Sequence, residues 1–241
     1  MKNWFGFKNI RLFTMIILVV FLFSFGKYRN EGRKISKPVV EFIGAEQLLV
    51  THETVNKLLI ENKSEALTVR KVALDLKNIE NSVKSHEMVH SAEVFMSIDG
   101  VLKAVVKQKI PIARYVDKDK SYYIDYDGTE MPLSAIHAVR VPLVTGYFEA
   151  EKNKSACEIF RMIYEDEFLK KNIIGINVFQ DGNLMLKNRS YNIDIDFGRP
   201  DGAKEKFGNY KAFFQKATED STIYKYKKID LRFNKQVIGI K

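Results

Sequence analysis

The sequence predicts an α+β protein. It combines one N-terminal transmembrane helix, a β-α-α-β-β module, and a curved, mostly antiparallel β domain with a few helices. Three observations lead there. An uncharged apolar run extends from Leu12 to Phe25. Short segments of helical spacing then give way to strands on either side of Asp99-Gly100, a two-residue hairpin signal. After Pro111 alternating segments dominate, with two longer helical stretches between them.

Composition narrows the class. Among 241 residues, 46% are hydrophobic and 29% charged, too apolar for disorder and too charged for a polytopic membrane protein. A single cysteine, Cys157, excludes an intrachain disulfide and a cysteine-based zinc ribbon. The net charge of +9 divides into +6 over residues 1–34 and +3 over residues 35–241. The basic excess therefore flanks the apolar run instead of forming a phosphate-binding face, and no nucleic-acid partner is expected.

The run from Ile10 to Gly26 would span roughly 25 Å as a helix at about 1.5 Å per residue, close to a hydrocarbon core about 30 Å thick. Trp4, Phe5, Phe7 and Tyr28 supply interfacial aromatics. A retained anchor and a signal cleaved near Ser24-Phe25-Gly26 both fit the pattern. Either way the remainder is expected outside the cytoplasm, after a tail (1–9), the membrane helix (10–26) and a basic linker (27–37).

Val39 to Ile43 reads as a strand closed by Gly44. Thr51 is placed to cap a helix with Val55, Leu58 and Leu59 at helical spacing. A second short helix is expected near Asn78 to Ser85, followed by strands Val89–Ile98 and Val101–Ile110. Beyond Pro111, Tyr122–Asp125 and a strand near Glu130 flank Tyr126-Asp127-Gly128, and Val141–Thr145 is another strand. Ser155 to Leu169 reads as one helix with a Ser155/Glu158 capping box. Ile173–Gln180 and Asn183–Lys187 form a hairpin about Asp181-Gly182, and a half-buried strand alternates from Tyr191 to Phe197. A helix over Ala203–Ala217 gathers Phe207, Tyr210, Phe213 and Phe214 on one side. Ile229, Leu231 and Phe233 alternate with Asp230 and Arg232, and a turn at Asn234-Lys235 leads into the last strand, Val237–Ile240.

The one match to a catalytic pattern is His86-Glu87-Met88-Val89-His90, the H-E-x-x-H arrangement in which two His one helical turn apart hold zinc and Glu is the base. It reads better as a helix-to-strand junction, because Ser91 to Ile98 alternate and only His137 lies further on. Asp125-Tyr126-Asp127-Gly128 opens like a calcium loop but lacks the closing Glu, so a turn is expected. Cys157 reads as a small buried residue, and Asp194 and Asp196 as a solvated strand face. No cofactor, metal or small-molecule substrate is expected. A last strand at a sheet edge, by contrast, offers unpaired N–H and C=O groups to another chain, and points to binding.

Several stretches, in order, resemble the FtsQ/DivIB division-protein family. Ile79-Glu80 with Val89 and Ala92-Glu93-Val94 resembles the short helix and strand of its POTRA module, and Gln108-Lys109-Ile110-Pro111-Ile112-Ala113 the exit from it. Tyr122-Tyr123-Ile124-Asp125 with Gly128, Met131-Pro132-Leu133-Ser134 and Pro142-Leu143-Val144-Thr145-Gly146 resemble the following β domain. Ile229-Asp230-Leu231-Arg232-Phe233 resembles its final hairpin. Members commonly have Pro where this chain has His86.

The resemblance implies a POTRA domain at 38–112 and a β domain at 113–241. It also implies a single-pass inner-membrane protein of the division septum, with cytoplasmic N-terminus and periplasmic C-terminal part. It implies a non-enzymatic scaffold that binds FtsB-like and FtsL-like proteins by strand addition and other division proteins through the POTRA module, helping control septal peptidoglycan synthesis. The strand-addition contact would fall on Arg232, Phe233, Ile238, Gly239 and Ile240, with Gly239 permitting close backbone approach. Two alternatives remain: a tethered zinc peptidase using residues 86–90, and a POTRA-type factor for envelope assembly or export.

Overall fold

The structure, a computed structural model, describes residues 7–31, 36–44, 49–61, 75–97, 99–233 and 236–241. Trp4 and Phe5, the Ile98 end of the first hairpin strand, and the Asn234-Lys235 turn lie outside the described residues. The chain separates into two compact units, Met1–Gln108 and Lys109–Lys241.

The first unit begins with α1 (Phe7–Glu31). Within it Ile10–Arg29 is long and apolar enough to cross a membrane, and none of that span is buried. A three-stranded sheet follows, in the order β1 (Ser36–Ile43), β3 (Val101–Gln108), β2 (Val89–Met96). β1 runs parallel to β3 and β2 antiparallel to it. Between β1 and β2 come α2 (His52–Glu61) and α3 (Leu76–Lys84). Thr51 Oγ1 accepts the Thr54 N–H (3.0 Å), which is the expected cap of α2. Asp75 caps α3 in the same way, accepting from Asn78 N–H (3.1 Å). Ala92, Val94, Ala104 and Val106 from the strands are buried, as are Val55, Leu59, Ile79 and Val83 from the helices. Gln108 ties the end of β3 to the entry of α2, its Oε1 accepting the N–H groups of Leu49 (2.7 Å) and Val50 (3.0 Å).

The second unit is built on a nine-stranded sheet in the order β12-β11-β10-β9-β8-β7-β4-β5-β6. The strands are β4 (Pro111–Val116), β5 (Ser121–Asp125), β6 (Glu130–Met131), β7 (Leu143–Gly146), β8 (Ile173–Val178), β9 (Leu184–Asn188), β10 (Asp194–Gly198), β11 (Lys228–Asp230) and β12 (Ile238–Ile240). Most pairs are antiparallel, but β4–β7, β7–β8 and β10–β11 are parallel. Parallel neighbours need crossovers. Two of these carry helices: α4 (Lys154–Glu165) and α5 (Glu167–Asn172) join β7 to β8, and α6 (Ala203–Glu219) joins β10 to β11.

Cross-strand register explains how this sheet holds its helices. One row of partners runs Tyr115–Val144–Ile176–Leu186–Ile195–Ile229–Gly239 through seven strands. Its six side-chain-bearing members are buried in the same core as Ile159, Phe160, Ile163, Phe207 and Tyr210 of the helices. The flanking row on the opposite face runs Leu143–Gly175–Lys187–Asp194–Lys228–Ile240, half of it charged. The sheet is amphipathic because side chains alternate with a period of two.

Local geometry departs from the sequence expectation in four places. The hairpins at Asp99-Gly100 and Asp181-Gly182 close at Ser97–Val101 and Phe179–Asn183 instead of around a two-residue loop, whereas Tyr126-Asp127-Gly128 is the three-residue turn expected. Gly100, Gly128 and Gly182 donate to the carbonyls of Ser97 (3.0 Å), Asp125 (2.9 Å) and Phe179 (3.0 Å). Each glycine has a left-handed φ, from 82 to 84°. This is the type I turn closed by a left-handed residue, which a side chain would strain.

The helix expected over Ser155–Leu169 is two helices. Asp166 is extended (φ −100°, ψ 117°) and its carboxylate caps α5 through Leu169 N–H (3.0 Å). The capping box is not formed either. Asn153 stands at the N-cap of α4, and its Oδ1 accepts from Glu149 N–H (2.8 Å) instead.

The strand expected from Tyr191 starts only at Asp194, because the buried Asn188 turns the chain first. Its Oδ1 accepts Ser190 N–H (2.8 Å) and Tyr191 N–H (3.1 Å), and its Nδ2 donates to the buried Tyr210 hydroxyl (2.9 Å). Finally, the alternation read through Ile229, Leu231 and Phe233 stops early. β11 ends at Asp230, Leu231 remains buried, and Phe233 is exposed.

Replacing Asn188 with Ala leaves two turn amides and a buried hydroxyl without their partner. The expected cost is about 2–3 kcal/mol, read as a lowered denaturation midpoint, while Asn183→Ala in the exposed β8–β9 turn should cost well under half as much.

Candidate functional site

The sequence singles out the C-terminal edge, and the fold places it at one end of the nine-stranded sheet. β12 pairs antiparallel with β11 alone, in the register Lys228↔Ile240, Ile229↔Gly239 and Asp230↔Ile238. The Ile240 carbonyl accepts the Lys227 N–H (2.8 Å), so it faces into the sheet. Strand alternation then turns the N–H and C=O of Gly239 outward, where the sheet has no further strand among the described residues.

Side chains divide across that edge by the same alternation. Ile238 and Ile240 fall on the open face, 39% and 45% exposed, and Phe233 is 48% exposed. Gly239 lies on the helix face, as the last member of the buried row. A Cβ there would sit 2.5 Å from Tyr226 Cε1 and 2.9 Å from Phe213 Cζ. Those two rings pack edge to face, with centroids 5.2 Å apart. The residue is therefore small because its own chain fills the space above it. The sequence reading gave a different reason, the approach of a partner's backbone.

Arg232 is committed within the chain. Its guanidinium reaches Asp230 through Nε (3.0 and 3.1 Å) and Nη2 (2.5 Å), and its own N–H donates to Asp230 Oδ1 (3.0 Å). Asp196, which Lys228 holds at 2.9 Å, lies 3.6 Å from Arg232 Nε. Two carboxylates on adjacent strands are thus neutralised by two cations beside β12. Asp230 is 4% exposed, a burial that sequence alternation did not indicate. Arg232 beside it holds its carboxyl below the usual carboxylate range, and Asp230 with Asp196 pushes the guanidinium up.

The other sequence candidates sit elsewhere. α3 ends at Lys84, and Val89 and His90 already belong to β2, so His86 and His90 do not share a helix face. His86 Nδ1 accepts the Met88 N–H (3.3 Å), as a turn residue does. Among the described residues, no three His, Cys, Asp or Glu converge to hold a metal ion. Asp125 is a buried turn residue, accepting from Thr129 N–H and Oγ1, each at 2.7 Å, with Lys109 Nζ at 3.5 Å. Cys157 is buried beside Gly128 in the helix–sheet core, and burial raises its thiol pKa.

A helix long and apolar enough to cross a membrane and two α+β units set the class, a membrane-anchored α+β protein, and among the described residues β12 is an open sheet edge. Residues 110–239 match the family FtsQ/DivIB, C-terminal related, and the chain belongs to that family. Membership gives it a role in cell division. No curated protein matches the chain.

Two outcomes test the edge as built. Acidification should loosen β12: Asp230 has a depressed carboxyl, so its contribution is complete above the usual carboxylate range. It is lost as pH falls below about 4. Protection of the Ile240 amide, taken relative to its intrinsic exchange rate at each pH, should fall over that window, and Arg232→Ala should bring the fall to higher pH. Gly239→Ala should also speed exchange through β12, because the Cβ cannot enter without moving Tyr226 or Phe213.

Proposed function

We propose that the chain is a non-enzymatic scaffold of the division septum, anchored by α1, that binds FtsB-like and FtsL-like partners by strand addition at β12. The carrying observation is the open outer edge of β12, with Gly239's backbone groups turned outward and Ile238, Ile240 and Phe233 exposed beside them. Strand addition needs both features: main-chain donors and acceptors for affinity, and alternate side chains for selection. Ile238 and Ile240 meet the incoming strand on the open face, while the Asp230–Arg232 pair holds the end of β11 in place beneath them.

In this reading the first unit is a POTRA module, supported by its β-α-α-β-β order and its β1-β3-β2 sheet, and it docks further division proteins. α1 crosses the inner membrane once, with the two units on the periplasmic side. The protein then links early and late division proteins and restrains or releases septal peptidoglycan synthesis through its partners, without breaking bonds itself.

Proline at Ile238 would cut the chain's own ladder to β11, since that residue pairs inward. Ile240→Glu is the better test: it puts a charge on an exposed side chain of the docking face. With the full chain in detergent micelles, capture of the cognate FtsB-type protein should fall tenfold or more, as loss of roughly 1.5–3 kcal/mol of apolar burial requires. Undiminished capture by a folded variant sinks the edge reading. Depletion in cells should give undivided filaments; defects in outer-membrane assembly without filamentation would favour an export role.

A further inference from the structure

The sheet of the first unit has two edges, β1 and β2, and β2 is occupied by a side chain. Ser97 N–H donates to the Val101 carbonyl (2.9 Å), so the odd-numbered residues of β2 face β3 and the N–H groups of Ala92, Val94 and Met96 face outward. The Val94 N–H does not meet solvent. It donates to Oε2 of Glu80 on α3 (3.1 Å). The other oxygen, Oε1, accepts from Lys84 Nζ one helical turn on (2.6 Å). Ile79 and Val83 of the same helix are buried, which fixes the helix against the sheet while Glu80 reaches across to the strand.

We propose that Glu80 is a latch that withholds the outer edge of β2 from strand addition by a second copy of this chain. β2 is eight residues long, and the exposed Phe95 adds apolar surface beside that edge. Such an edge is a template for antiparallel pairing with its own kind, through a two-fold axis. An incoming strand needs the Val94 N–H at its centre. It would have to displace a carboxylate with a neutral carbonyl, exchanging a charge-assisted hydrogen bond for an ordinary one. Lys84 strengthens the latch by holding the carboxylate in position and ionised: the Glu80 carboxyl lies below its usual range, through Lys84 first and the Val94 N–H second.

The test uses the full chain in detergent micelles, with residue-resolved hydrogen exchange and light scattering. Glu80→Ala should speed exchange at Val94 about tenfold or more. Glu93 and Phe95, which pair toward β3, should keep their protection, and the particle mass should rise with protein concentration. Glu80→Gln keeps an acceptor but loses the charge and the ion pair with Lys84, so exchange at Val94 should fall between the parent and Glu80→Ala. Lys84→Ala leaves the sheet untouched and should give a smaller acceleration at Val94, which keeps the question decidable if the Glu80→Ala chain is poorly folded. Unchanged exchange at Val94 in these variants overturns the latch. Faster exchange at Val94 with an unchanged mass overturns the claim that it withholds the edge from a second copy.

Discussion

The second unit depends on one line of contacts, the buried row from Tyr115 to Ile229 that ends at Gly239. Seven of the nine strands, β4 and β7 through β12, each contribute one residue to it, and the helices α4 and α6 close over it. Since side chains alternate, that single buried row fixes which residues every strand shows to the opposite face. Leu143, Lys187, Lys228, Ile238 and Ile240 point away from the helices because their neighbours point toward them. A one-residue slip of β12 would bury the two isoleucines and force a side chain into the place of Gly239, against Tyr226 and Phe213. Burial in the core thus sets the register of the β12 edge.

Electrostatics completes the edge rather than creating it. Asp196 and Asp230 stand next to each other on parallel strands, an arrangement that would repel without Lys228 and Arg232. Arg232 joins the end of β11 to its own strand by four hydrogen bonds, which stiffens the backbone just before the connection to β12. A partner strand would therefore meet a pre-organised edge, and less ordering cost would be deducted from the affinity. The two units treat their edges differently: a carboxylate accepts the outward Val94 N–H of β2 in the first, while β12 in the second has no further strand beside it among the described residues.

Much of this architecture was legible in the sequence, for identifiable reasons. The apolar run around Leu12–Phe25 and the alternation of Ile193, Ile195 and Phe197 are one-dimensional patterns that burial imposes on any chain. Asp-Gly pairs marked three hairpins, although Gln180 also entered the loop at Asp181-Gly182. Side chains that act on their own backbone at a distance were not legible: Asn188 reaching Tyr210, Asp166 splitting a helix, Glu80 crossing to Val94. Each needs a partner brought close by the fold. The five edge residues were found through a resemblance, and only their coordinates separate Arg232 and Gly239, which serve the chain's own packing, from the exposed Phe233, Ile238 and Ile240.

By itself, then, the amino-acid order determined the class: an apolar anchor, an α+β build, strand-rich texture after Pro111, and hairpins at Asp-Gly. These follow from local propensity and from the period at which apolar residues recur, and both act along the chain. Tertiary structure alone decided that four strand pairs run parallel, that β12 lies at the sheet's margin, that His86 and His90 part company between a turn and a strand, and that Asp230 is buried beside Arg232. Those outcomes depend on which distant segments share a surface, and no local window of residues contains that information.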